Sequence, residues 1–115
     1  MLKETLGKFL ILHGVLAAIV VQENGEIIES MQSGFNLDET TGRFISVLAR
    51  DAGSYIPRQE KYPIPMVFME FSGVFIIMGP LIEEFYLVIV AKNTANIALI
   101  TLDMKNYRNA LVAQL

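Results

Sequence analysis

One histidine, no cysteine and no glycine-rich phosphate loop leave this 115-residue chain few groups with which to make or break bonds. A catalytic site needs a nucleophile, a base and a group that orients the base. His13 is the single imidazole, set between an apolar run and Gly14, and the sequence offers it no partner. It reads as a helix-end residue that meets terminal carbonyls or packs under the segment that follows. Without cysteine there is no thiolate nucleophile, no disulfide, no Cys-ligated zinc and no iron–sulfur cluster. Neither G-x-x-x-x-G-K-[ST] nor G-x-G-x-x-G occurs, so nucleotide phosphates find no cradle of those kinds. Glu83 and Glu84 are adjacent, and neighbours in a strand or turn point apart, so they read as a solvated turn rather than one site. Asp38 and Glu39 suit a helix start, where the macrodipole favours negative charge. The expectation is therefore a non-enzyme with no cofactor and no metal.

The remaining chemistry is that of binding. Arg43 and Arg50 are seven residues apart and share one helical face, with Arg58 and Lys61 following. They make either a basic patch for an acidic partner or the wet side of an amphipathic helix. Met66, Met69 and Met78 fall in consecutive apolar segments, where soft side chains fill a core or an adaptable interface.

The elements that would position these residues follow from periodicity. Residues 2–12 read as a short helix on Leu2, Leu6, Phe9 and Leu10, ended by Gly14. Residues 15–22 are rich in β-branched residues and lead into Asn24-Gly25, a strong hairpin signal because both residue types tolerate positive φ. The second strand returns over 26–30, and 31–36 reads as a loop. Asn36 and Glu39 resemble a capping box. Leu37, Thr41, Phe44, Ile45, Leu48, Ala52, Tyr55 and Ile56 form one stripe of a helix that Pro57 stops, with Arg43, Ser46 and Arg50 on the far side. After a polar connector, 64–71 reads as an edge strand, because Pro63 and Pro65 cannot donate to a ladder. Ser72-Gly73 is a turn, 74–78 the next strand, and Gly79-Pro80 its break. Residues 85–91 are almost wholly apolar and read as a central strand covered on both faces. A last helix runs from about Thr94, with Ile97, Ile100, Met104, Tyr107, Leu111 and Leu115 on one stripe and Leu99 and Leu102 off it. The order α-β-β-α-β-β-β-α predicts a single α+β domain over 1–115: a five-stranded antiparallel sheet with flanking helices.

Composition adds a constraint. Hydrophobic residues make up 53% of the chain and charged residues 18%, so it is not disordered. A chain this small hides only roughly two-thirds of its unfolded surface, and the surplus apolar surface predicts a membrane, a partner or a second copy. The net charge of -3 gives nucleic-acid binding no support. The apolar runs 9–21 and 71–82 are shorter than the roughly 20 residues that span a bilayer. Lys3, Lys8 and Ala17-Ala18 suit a signal peptide, but Glu4 and His13 interrupt the pattern, and the expected location is cytoplasmic.

The chain resembles the Roadblock / dynein-light-chain family. The likeness is carried by Gly14-Val15-Leu16-Ala17-Ala18-Ile19-Val20-Val21, Asn24-Gly25, and Ile27-Ile28-Glu29-Ser30. It continues through Gly73-Val74-Phe75-Ile76-Ile77-Met78-Gly79-Pro80-Leu81 and Tyr86-Leu87-Val88-Ile89-Val90-Ala91. Many members carry Gly-x-x-Arg near the start of the last helix, which Asn96–Thr101 lacks here. The resemblance implies a profilin-like fold and a homodimer whose third strands pair across a two-fold axis with the middle helices side by side. It also implies a non-enzymatic platform that binds and regulates or scaffolds a small Ras-like GTPase. A motor-complex light-chain adaptor and a small-molecule-sensing profilin- or PAS-like domain are the alternatives. The expected dimer interface is Ile64, Met66, Val67, Phe68, Met69, Glu70, Phe71 and Val47. The partner would meet Arg43, Ser46, Val47, Arg50 and Ser54. An unpaired apolar edge such as 64–71 aggregates unless it is covered, and a self-pairing interface of roughly 1,200–2,000 Å² would cover it.

Overall fold

Alternation of side chains across the strands sorts the apolar residues into two separate clusters, one on each face of a single sheet. The computed structural model describes residues 1–34, 39–53, 66–71 and 73–115. The Asn36 cap, Leu37, Tyr55, Ile56, the Pro57 stop, the connector through Pro65 with Arg58, Lys61 and Ile64, and also Ser54 and Ser72, lie outside them. Along the chain come α1 (Leu2–Gly7), a 3-10 turn (Lys8–Ile11), β1 (Val15–Gln22), β2 (Ile27–Gln32) and α2 (Glu39–Gly53). Then follow β3 (Val67–Phe71), β4 (Val74–Pro80), β5 (Phe85–Lys92) and α3 (Ile97–Ala113). The sheet order is β2-β1-β5-β4-β3, antiparallel at every pair, so among the described residues β2 and β3 are the two edges.

The central position of β5 follows from its composition. Tyr86, Val88 and Val90 point to one face with Ile45 of α2, while Leu87, Ile89 and Ala91 point to the other with Ile100, Met104 and Leu111 of α3. A strand covered on both faces must be apolar at every position. The α3 face also receives Leu6 and Phe9, which are fully buried. Phe9 meets Tyr107 edge-on at 5.4 Å between ring centroids, and Gln114 Nε2 donates to Thr5 Oγ1 at 2.9 Å, so α1 is pinned to α3.

Five local expectations change. The β1–β2 turn is not the two-residue type with two positive-φ residues. Gly25 N–H donates to Gln22 O at 2.9 Å and Gln22 N–H to Glu26 O at 2.8 Å, a three-residue turn in which Gly25 alone has positive φ, at 94°. Asn24 serves by its side chain instead, its Oδ1 accepting from Glu26 N–H at 2.9 Å. The strand β2 runs on through Met31 and Gln32, which pair with Ala18 and Ala17. The first helix tightens to 3-10 geometry from Lys8, as helix ends commonly do. And β4 does not break at Gly79-Pro80: these pair with Leu87 and Tyr86. Among the described residues the β3 ladder stops at Met78, and beyond it β4 has no further partner on that side, a position where proline is tolerated. Arg108 fastens that end, its Nε and Nη2 donating to Pro80 O and Leu81 O at 3.2 and 2.7 Å.

The last helix begins at Ile97 rather than Thr94 because Asn96 caps it, its Oδ1 accepting from Leu99 N–H at 3.2 Å. Replacing that cap by alanine leaves an orphan donor. Asn96→Ala should lower unfolding stability by about 1 kcal/mol, and Asn96→Ser should retain most of it, as read from urea midpoints.

Candidate protein interface

The two edges of the sheet differ. Along β2 the register slips: Val20 opposes Glu29 while Val21 opposes Ile27, so Ile28 forms a bulge. Bulges and charge blunt an edge against further strand addition. Along β3 the register with β4 is unbroken from Val67 to Phe71. Its side chains divide by parity. Val67 and Met69 are half-buried on the α2 face with Val74. Phe68 is 52% exposed and lies 4.9 Å from Phe75, and Glu70 is exposed on that same side. Met66, just before the strand, packs within its own protomer against the α3-face cluster.

The α2 helix lies against β1 and β5 with Ile45 as its buried centre. Each residue advances about 100° around a helix, which fixes its flanks. Gly42 sits by Ile27 of β2, and Ser46 sits by Gly25, where an added Cβ would come within 3.3 Å of Ser46. That flank therefore faces the β2 side. Phe44 is half a turn round from it, on the opposite flank, and Val47 lies between Phe44 and the outer arginines. Phe44 and Val47 are both 39% exposed. Phe44 was expected inside the core stripe. It lies instead on the flank, part exposed, because Ile45, about 100° round the helix, takes the position over the sheet. Arg43 and Arg50 are exposed, and Arg50 Nε stands 3.6 Å from Asp51 Oδ1 at the surface, a pair worth little in water. Ser46 is half-buried beside the hairpin, on the other flank from Phe44. Ile64 and Ser54 fall outside the described residues.

The residues weighed for other chemistry are dispersed. His13 is exposed in the bend before β1 rather than packed under the hairpin. Glu83 and Glu84 are exposed in the β4–β5 turn, where Glu84 Oε1 accepts from Gln22 Nε2 at 3.2 Å. Among the described residues no cluster of histidine and carboxylate side chains is placed to hold a metal. No helix among them is long and apolar enough to cross a membrane. The cavity between α3 and β4, lined by Met66, Gly79, Leu87, Met104 and Arg108, measures about 10 Å³. Small-molecule sites take roughly 300–1,000 Å³, so this one has room for a water and gives ligand sensing no support. On α3, Leu99 and Leu102 are exposed off the core stripe, as their spacing predicts.

No family model and no curated protein matches the sequence. Solved structures do match over nearly the whole chain. MglC from Myxococcus xanthus is 16% identical, covering 100% of both chains with a TM-score of 0.76. MglB from the same organism is 18% identical, covering 97% of this chain and 85% of that one with a TM-score of 0.77. A Roadblock/LC7 domain from Streptomyces avermitilis is 17% identical, covering 100% and 98% with a TM-score of 0.69. At such identities the likeness is one of architecture, and it agrees with the strand order and helix placement: this chain has the Roadblock/LC7 fold.

Proposed function

We propose that this protein is a non-enzymatic homodimeric platform that binds a small Ras-like GTPase and regulates or scaffolds it. The observation that carries the reading is the regular, apolar β3 margin, whose register with β4 is unbroken; Phe44 and Val47 of α2 add exposed apolar surface on the same protomer. Antiparallel pairing of β3 with its own copy would use its free backbone donors and acceptors and bury Val67, Met69 and the α2 flank together. The bulged β2 edge offers no equivalent route. Pairing at β3 brings the two α2 helices side by side, and their outer faces then present Arg43 and Arg50 of both copies. The Roadblock/LC7 fold supports this reading. Regulation would be conformational: a platform that prefers one nucleotide state of the GTPase shifts the population toward it by its differential affinity.

The test is capture of purified Ras-like GTPases, nucleotide-free and loaded with GDP or a GTP analogue, by the immobilised protein. Retention of one GTPase in one nucleotide state is expected. The double substitution Arg43→Ala with Arg50→Ala should weaken it tenfold or more without altering the solution mass. Indifference to every GTPase in every state would overturn the proposal.

A further inference from the structure

Two copies of a five-residue strand can meet antiparallel in few ways. Opposed residues in a sheet share a face, and in a two-fold pair the strand faces itself, so one residue must sit opposite its own copy. Within Val67–Phe71 the candidates near the middle are Phe68, Met69 and Glu70. Centring on Met69 opposes Val67 with the second copy's Phe71 and Phe68 with its Glu70, so all five residues pair. Centring on Phe68 or on Glu70 pairs three of the five with one another. Centring on Glu70 also sets two carboxylates directly opposite, with Cβ atoms about 5 Å apart, which destabilises a ladder. The Met69 register instead places each Glu70 across from an aromatic ring and separates the two carboxylates by two residues along the strand, a diagonal of roughly 7–8 Å. Met69 suits the axis itself. Its side chain is half-buried on the apolar α2 face, and an unbranched thioether adapts to its own image.

We infer that the two-fold axis of the dimer passes beside Met69, with Phe68 of each copy opposed to Glu70 of the other. The inference rests on the homodimeric reading above and adds the register to it.

The absence of native cysteine makes the test clean. Single-cysteine variants Met69→Cys, Phe68→Cys and Glu70→Cys are oxidised mildly and read on non-reducing gels. Directly opposed residues bring Cα atoms to about 4.5–5.5 Å, inside disulfide range, whereas residues one pair off stand at roughly 8 Å. Met69→Cys should therefore link into a covalent dimer at least tenfold faster than either neighbour alone. An equal mixture of the Phe68→Cys and Glu70→Cys proteins should link to each other faster than either links to itself. Fastest self-linking by Phe68→Cys or Glu70→Cys, or no linking by any variant of a chain that sediments as a dimer, would overturn the register alone. A monomeric unsubstituted chain would overturn the homodimer itself.

Discussion

Met69→Asp should leave the protein a 12.9 kDa monomer at micromolar concentration, while the unsubstituted chain should sediment at twice that mass. Met69 lies midway along an edge strand, half-buried against the α2-face cluster. In a lone protomer a carboxylate there keeps part of its water, so the fold survives. In the proposed dimer it would be buried among apolar groups and set close to its own copy. Desolvating an unpaired charge costs several kcal/mol, and like charges across a ladder add to that. A loss of about 4 kcal/mol weakens association roughly a thousandfold. Analytical ultracentrifugation reads the outcome, and a thermal melt confirms folding. Ser30→Asp on the opposite edge is the control and should leave the mass unchanged. A variant that stays dimeric would move the interface away from β3.

The second large effect is within the protomer. Ile89→Ala should cost about 2–5 kcal/mol of unfolding free energy. Ile89 is fully buried, in the strand that joins the two halves of the sheet, and it packs in the cluster shared by α1, α3 and the sheet. Its removal leaves a cavity whose walls belong to several elements, so no single one can move in to fill it. For a domain of this size the thermal midpoint should fall by roughly 10 °C or more, compared at fixed protein concentration. Val47→Ala, on the exposed flank of α2, should by contrast change the melt of a monomeric variant by less than about 0.5 kcal/mol. An Ile89→Ala protein as stable as the parent would contradict the two-sided burial of β5.

Much of the fold was legible because burial on two faces and burial on one face leave different patterns. The unbroken apolar run at 85–91 marked the central strand, and the prolines before β3 marked an edge. The hairpin at Asn24-Gly25 was found for a reason that held only in part, since the glycine supplies the positive φ and the asparagine a side-chain acceptor. What periodicity could not separate was an apolar residue facing the core from one facing outward on a helix flank. Phe44 and Ile45 are both apolar and adjacent, yet Ile45 is buried and Phe44 is not. Polarity groups Ser46 with the outer arginines, whereas its neighbour Gly25 lies twenty-one residues away in sequence, beyond any local signal. The continuation of β4 through Pro80 depends on where β3 begins, which is a fact about a different segment.

The slip at Ile28 has a consequence for how far assembly can go. A ribbon able to add strands at both margins has no natural stopping point and grows into filaments at high concentration. With one margin spoiled and the other regular, growth in the proposed pairing would terminate after a single addition, as a ten-stranded unit that stays finite. Repairing the slip by deleting one residue at that point would restore a second sticky margin, and with it the tendency to form fibres.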